Sequence, residues 1–345
     1  ATTEDLNDVR VFGLSSPAWN NGDSEAWNGA PVTALKPSAW SGPLGYTSRM
    51  LLALREFSPH IVHLHGLWTY PSIAVHRWHR QTGRPYVCSA HGMLIPTSLR
   101  YKWTRKRAAR FLFQDRIIRE SGLLHATSAD ECAAYRDLGF SNRAATIPLS
   151  IELVPIPPVP ARSARRQVLF LGRLHHQKGV DTLLAAWKAV EQDFPNWDLV
   201  VVGPEDPSFR REMAHLREAA AGRRVEFRDA LYGEEKLRCI AASDLFVMPS
   251  RSENFGLAAA ESLLMEVPVI TTKATPWSGL HSADAGWWIA SGVPALEAAM
   301  REAMRIPSSV LREKGRNGRR WVATEFSREA VASIWQSTYL SLLRK

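Results

Sequence analysis

QVLFLGRLHHQKGVDTLLAAWKAVEQDFPNWDLVVVG, residues 167–203, is the stretch that decides the fold. QVLFLG (167–172) is an apolar run of strand length, VDTLLAAWKAVEQ (180–192) carries apolar residues at helical spacing, and DLVVVG (198–203) is apolar and strand-like again. Strand, helix and second apolar strand form the crossover unit of a parallel sheet buried on both faces. The alternation continues through a helix around 208–221, RVEF (224–227), a helix at 234–242, DLFVMP (244–249), a helix around 258–265 and VPVITT (267–272). Upstream, strands are read at 9–13, 61–65, 85–90, 123–126 and 144–147, with helices such as 45–56, 73–81, 102–121 and 129–138 between them. LVPIPPVPARSARR (153–166) holds four prolines, which disfavour helix and read as a linker. The expected architecture is α/β: two doubly wound, Rossmann-like parallel-sheet domains facing a cleft, at 1–155 and 156–327. A C-terminal helix at 328–345 is expected to pack back on the first domain. In open parallel sheets, ligands bind beyond the carboxyl ends of the strands.

A length of 345 residues suits two such domains. With 45% hydrophobic and 22% charged residues the chain is an ordinary globular protein, and no apolar run approaches the ~18–20 residues of a spanning helix. Residues 1–30 are polar and lack the apolar core of a signal peptide. Cys88, Cys132 and Cys239 are far apart and odd in number, which argues for a reducing, cytoplasmic setting and against a disulfide frame or zinc site. The first half opens on polar ATTEDLND and a single strand, so residues upstream of Ala1 are expected to be missing. The net charge of +9 suits an anionic partner, and much of it is local: residues 100–119 hold eight Lys or Arg and one Asp. Interleaved with Trp103, Phe111, Leu112 and Phe113, this segment suits peripheral contact with an anionic membrane face, or a solvated helix face. No nucleic-acid motif accompanies it.

Two segments carry chemistry. GRLHHQKG (172–179) directly follows a strand: Gly172 is read as allowing a sharp exit, while Arg173 and Lys178 stand before a helix where cations can clamp a diphosphate. SENFGLAAAESL (252–263) places Glu253 in the loop after a strand, Gly256 at the start of a helix, and Glu261 about one turn in. The glycine admits an anionic group to free backbone N–H groups, and a carboxylate is a good acceptor for a diol. Plain solvated loops and an acidic cap are the alternatives that spacing alone leaves open.

Together QVLFLGRLHHQKGVDTLLAAW and DLFVMPSRSENFGLAAAESLLMEVPVITT resemble glycosyltransferase family 4, retaining nucleotide-sugar-dependent enzymes of the GT-B fold. IVHLHGLW (61–68), YVCSAHG (86–92) and LLHATSADE (123–131) match more weakly, in the family's usual order. The resemblance implies that Arg173 and Lys178 hold the donor diphosphate and stabilise its charge as the sugar leaves. It makes Glu253 the first glutamate of an E-x7-E motif, near the transferred sugar, and Glu261 the second, on the nucleotide ribose. Asn254, Phe255, Gly256 and Leu257 would offer backbone N–H groups, and His91 would lie near the reacting sugar. It implies a nucleotide diphosphate sugar as substrate, no cofactor, and a glycan or lipid-linked acceptor. TTKATPWSGLHSADAGWW (271–288) resembles a subgroup tied to bacterial surface-polysaccharide assembly.

The departures are IPLS (147–150) in place of IPNG, and no glycine-rich loop after the first strand. The chain has no D-x-D pair, so no metal is expected, with Arg173 and Lys178 in its place. His63 and His65 read as hydrogen-bonding groups at a strand end rather than metal ligands. His175 or His176 is a candidate to face phosphate. Arg228–Tyr232 follow the strand RVEF, where the resemblance implies that the nucleotide base sits, and Trp277, Trp287 and Trp288 read as packed residues rather than sugar platforms. Two rivals stand: another GT-B activity such as a nucleotide-sugar epimerase, and a non-catalytic basic membrane- or nucleic-acid-binding protein on the same fold.

Overall fold

The computed structural model describes residues 8–16, 30–159 and 165–344; the polar opening at 1–7 and linker residues 160–164 lie outside them. The chain forms two compact units, one of residues 1–149 with 328–345 and the other of residues 150–327.

In the first unit β1 (Val11–Leu14) pairs in parallel with β2 (Val32–Leu35), and β3 (Val62–His65), β4 (Tyr86–Ser89), β5 (Leu123–Ala126) and β6 (Ala144–Thr146) form a second, all-parallel sheet in that order. Helices α1 (Arg49–Phe57), α2 (Tyr70–Thr82), α3 (Pro96–Arg100), α4 (Trp103–Ala109), α5 (Asp115–Arg119) and α6 (Ala129–Asp137) connect them. β4 and β5 are buried along their whole length, as strands with both faces covered must be. Trp78, Tyr86, Ile118 and Tyr135 fill one side. On the other, the C-terminal helix Arg328–Leu343 lays Leu342 on Val87 and Leu123. β2 was not read from the sequence: it has four residues and follows the polar run before Pro31. The single helix expected at 102–121 is broken. Lys102 is left-handed (φ 52°), and a π-helical turn, Arg110–Gln114, separates α4 from α5. Within that turn Gln114 is fully buried, its Oε1 accepting the Trp68 N–H at 2.9 Å.

The second unit is a six-stranded parallel sheet of β7 (Arg166–Leu171), β8 (Trp197–Val202), β9 (Val225–Arg228), β10 (Leu245–Met248), β11 (Val269–Thr272) and β12 (Gly286–Ile289), in the spatial order β12-β11-β10-β7-β8-β9. The chain runs outward from β7 to β9, then crosses back to β10 and runs the other way. The topological switch therefore lies between β7 and β10, where parallel sheets open a binding crevice. The helices are α7 (Val180–Val190), α8 (Arg210–Ala219), α9 (Gly233–Ala241), α10 (Leu257–Leu264), α11 (Gly279–Ser282), α12 (Val293–Arg305) and α13 (Ser308–Glu325). The linker residues Leu153–Val159 have no regular structure, and the unit begins at Ser150 because Ile151 bridges to Ser327.

α10 is held between the sheet and α13. Its Ala259, Ala260 and Leu263 are fully buried, and α13 approaches through two glycines. A Cβ on Gly315 would lie 1.8 Å from the Glu266 carbonyl oxygen, and one on Gly318 would lie 2.5 Å from Leu263 Cδ2. Gly315→Ala is expected to force α13 off α10 and cost about 1–3 kcal/mol, read as a lowered midpoint in urea unfolding; an unchanged midpoint would show that the contact yields freely.

Candidate active site

Adjacent strands β7 and β10 send their loops out at the same edge of the sheet. The β7 loop turns through a short 3-10 helix, His176–Lys178, into Gly179 and α7. Gly179 has φ 72°, and a Cβ there would sit 2.2 Å from Pro249 O, so the start of α7 packs directly on the β10 loop. Arg251 ties the two loops together. Its guanidinium grips Asp181 with a pair of bonds at 2.9 and 2.6 Å, donates to His176 O and reaches Thr182 Oγ1 at 3.2 Å; its backbone N–H donates to Gln177 O at 2.8 Å. Burial opposes ionisation of Asp181, but the Arg251 bonds outweigh it and hold the carboxyl below its ordinary range. Sequence reading missed Arg251, since nothing local marks a partner 70 positions away.

This clamp brings Lys178 to Glu253, whose carboxylate accepts from the ammonium. Both are largely buried, with side chains 26% and 15% exposed. Glu253 is fixed from behind by its own N–H, which donates to Ala274 O at 3.1 Å. Arg173 stands further out, 57% exposed, and pairs with Asp206 at 3.1 Å. Gly256 precedes α10 at φ 84°, a conformation that favours glycine, and a Cβ there would crowd Met248 Cε at 2.8 Å and Glu253 Cγ at 3.1 Å. Ala259 and Ala260 donate to Gly256 O, which leaves the N–H groups of Leu257 and Ala258 at the open, positive end of the helix. Glu261 lies one turn in and accepts from Lys236 of α9 at 2.7 Å, both about one-quarter exposed. Lys236 also escaped the sequence reading.

The Phe255 side chain is core, packed on Trp277 and Phe326 at 5.4 and 5.8 Å, and its carbonyl accepts the Trp277 indole N–H at 2.6 Å. That leaves only its backbone for a ligand. Leu257 is half exposed at the first helical position, and Asn254 is partly buried beside Glu253. Gly172 is not the glycine its turn requires: it is not left-handed, and a Cβ there meets only Phe170 Cζ at 3.9 Å. His175 Nδ1 caps the 3-10 turn by accepting from Gln177 N–H at 3.2 Å, and His176 packs under Arg251. Trp287 and Trp288 donate to Glu302 and to Thr275 O.

In the first unit His91 occupies a turn of two left-handed residues, His91 (φ 50°) and Gly92 (φ 75°), closed by Met93 N–H to Ala90 O at 3.1 Å. Glu131, fully buried, pins the turn: Oε1 accepts the Gly92 N–H at 2.5 Å while Oε2 accepts from Thr127 N–H at 2.8 Å. Ser128 and Glu131 are the two ends of a capping pair at the start of α6, with Ser128 Oγ accepting the Glu131 N–H. The His91 ring stacks on His65 (5.1 Å, 7°), with His65 Nδ1 and His91 Nε2 2.8 Å apart.

His63 belongs to a second chain of bonds whose direction is fixed by its far end. Ile147 O only accepts, so His125 carries its proton on Nε2 and accepts at Nδ1 from Ser89 O–H. Ser89 Oγ then accepts from His63 Nε2–H at 2.5 Å, and His63 Nδ1 accepts from Tyr339 O–H at 2.7 Å. These directions are those of neutral rings, the form that burial favours at His63 and His125. Burial lowers the pKa of His63, His125 and His91, and takes His65 down to about 4. Among the described residues no group of three His, Cys, Asp or Glu is arranged to hold a metal, and all three cysteines are free.

These depressed histidines bind fewer protons in the folded than in the unfolded chain. Their stabilisation is complete above about pH 6.5, the unfolded value, and is lost as pH falls through the folded values. Thermal unfolding is expected to fall from about pH 6.5 toward 4, with a shallower fall in His65→Phe; identical slopes for the two proteins would contradict it. Arg251→Lys is expected to lose about 1–2 kcal/mol, since a lysine cannot bond Asp181 with a two-pronged grip. Full stability in that variant would show the clamp to be dispensable.

Residues 157–321 match the family described as Glycosyl transferases group 1, and residues 6–150 match the Glycosyl transferase 4-like domain. The GDP-mannose:cellobiosyl-diphosphopolyprenol alpha-mannosyltransferase of Xanthomonas oryzae pv. oryzae (strain PXO99A) is 27% identical over 234 residues, 65% of this chain and 59% of that protein. A lipopolysaccharide core biosynthesis mannosyltransferase of Rhizobium meliloti (strain 1021) is 29% identical over 184 residues, 50% of this chain and 52% of that one. The matches thus span little more than half the length of these relatives. The structure of Anabaena HepE in complex with UDP superposes with a TM-score of 0.76 at 17% identity, over 98% of this chain and 94% of that one, a likeness of fold. With each half matched to its own family domain, the chain belongs to the group 1 glycosyltransferases, glycosyltransferase family 4, and has their GT-B fold of two Rossmann-like units.

Proposed function

We propose that this protein transfers a sugar from a nucleotide diphosphate sugar to a glycan or lipid-linked acceptor. We further propose that it retains the anomeric configuration, needs no metal, and works at the cytoplasmic face of a membrane in polysaccharide assembly. The observation that carries the reading is the joining of Lys178, Glu253 and the open start of α10 at the β7/β10 switch, with Glu261 one turn behind. A diphosphate lying against the N–H groups of Leu257 and Ala258 would draw Lys178 away from Glu253. The carboxylate so released would need new donors, and the hydroxyls of the transferred sugar supply them. Glu261 would trade Lys236 for the ribose diol in the same way.

In the reaction the bond from the anomeric carbon to the phosphate oxygen breaks. The acceptor hydroxyl oxygen bonds the same carbon from the same face, and its proton passes to the leaving phosphate. Lys178 and Arg173 are fixed positive charge where negative charge builds, the task a cation would otherwise perform. His91 is the proposed hydrogen-bonding group for the reacting sugar. UDP accompanies the Anabaena structure and GDP-mannose the Xanthomonas relative, so both bases are worth testing.

Calorimetric titration of UDP and GDP with chelator present is the direct test. One nucleotide is expected to bind, about 1–3 kcal/mol more weakly to Glu261→Ala and Arg173→Ala. Once an acceptor is found, Lys178→Ala should lower kcat about a hundredfold or more. Failure of both nucleotides to bind, or consumption of donor without any acceptor, would sink the transferase reading; the second outcome is that of an epimerase.

A further inference from the structure

Four large apolar side chains stand in solvent within one short stretch of the first unit: Tyr101 (66% exposed), Trp103 (56%), Phe111 (90%) and Leu112 (73%). Folding explains none of them. The inward side of the helix that runs through the π turn is taken by Phe113, Gln114, Ile117 and Ile118, which meet the core. Phe111 and Leu112 are on the other side, adjacent in sequence and covering nothing. Exposed apolar side chains gathered in one place mark a surface that another phase or molecule covers.

The charges around them say what that is. Arg110 and Arg116 are spent on Asp115 and Glu120. Among the described residues, Lys102, Arg105, Lys106 and Arg107 have no carboxylate partner. Lys106 donates to Ser98 O and lies 5.9 Å from the centre of the Trp68 ring. Burial and the neighbouring Lys102 lower its pKa, which is the position of a cation that lacks a counter-ion. A groove of ≈ 360 Å³ runs between these groups, lined by Leu99, Trp103 and Phe111 on its apolar side and by Lys106, Arg107 and the Arg110–Asp115 pair on its charged side. Apolar floor and cationic rim fit one kind of occupant, an anionic headgroup carried on hydrocarbon. A polyanion such as nucleic acid would satisfy the cations and leave Phe111 and Leu112 wet. No helix among the described residues is long and apolar enough to cross a bilayer, so the contact would lie within the interface.

We propose that residues 101–112 are a membrane-docking wedge: Phe111 and Leu112 enter the hydrocarbon edge of an anionic bilayer, and the groove takes a lipid phosphate between Lys106 and Arg107. Lys102 and Arg105 add attraction to the charged surface. The wedge is a partner surface for the lipid-linked acceptor proposed above. It holds or fails on lipid binding alone, whatever the outcome of the nucleotide titration.

The test is sedimentation of the whole chain with vesicles of phosphatidylglycerol and phosphatidylcholine, and with phosphatidylcholine alone. The protein should sediment with the anionic vesicles and be released by salt. Phe111→Ser/Leu112→Ser and Arg105→Gln/Arg107→Gln should each bind about tenfold more weakly or worse. Both pairs are exposed, and unchanged thermal unfolding will show that the variants fold. Three results would overturn the wedge: no binding to anionic vesicles, equal binding to neutral ones, or wild-type binding by Phe111→Ser/Leu112→Ser. In the third case, retention on heparin that only the arginine variant loses would mark a polyanion surface instead.

Discussion

Arg251 is what joins the two loops of the candidate site in the second unit. Strand pairing alone puts the β7 and β10 loops at one edge of the sheet, but loops are mobile and their backbone groups need partners. One guanidinium supplies them, bonding a carboxylate, a hydroxyl and a carbonyl on the β7 side while its own N–H anchors the chain from the β10 side. The planar fork matters here, because a point charge could not fix two loops in one geometry. Lys178 and Glu253 lie within two or three residues of bonds that Arg251 makes, and their meeting is a consequence of it. The close contact of Gly179 with Pro249 O shuts the same seam from beneath.

Much of this was legible in the sequence, and the limit has a physical form. The parallel sheets could be read because buried strands are apolar throughout and their helices carry a 3.6-residue period; both signals are local. Glu253, Gly256 and Glu261 stood out through the resemblance of SENFGLAAAESL to the family's motif, since their spacing alone fits an acidic cap and a solvated loop equally well. Lys236, Asp181, Arg251 and Glu131 did not. Each meets its partner across a gap that no period spans, 25 positions for Lys236 with Glu261 and 39 for Glu131 with the Gly92 N–H. Glu131 had one local mark, the capping pair with Ser128, but that signature speaks of a helix start and not of the turn beneath His91. β2 was hidden for another reason: Pro31 and Pro37 flank it and mark the stretch as a loop.

The first unit shows a different economy. Stacking four imidazoles near one sheet edge would be ruinous if they were charged, and a row of neutral rings needs every nitrogen assigned. The Ile147 carbonyl makes that assignment for His125, Ser89 passes it to His63, and Tyr339 closes the chain from the C-terminal helix. A proton added at His125 Nδ1 would turn that nitrogen from acceptor to donor toward Ser89, and burial opposes it. Burial likewise favours the neutral form of His63.

His65 and His91 lie beside that array but outside its chain of bonds. Their shared hydrogen bond has no carbonyl at either end to set its direction, so either ring can donate. The choice passes to whatever binds the free nitrogen of His91: an acceptor oxygen there draws a proton to Nδ1 and makes His65 the donor, and a hydroxyl donor does the reverse. Two bonded, neutral histidines thus stand beside one pair whose hydrogen bond can run either way. The strained left-handed turn under His91, clamped by Glu131, costs stability to hold that ring in place.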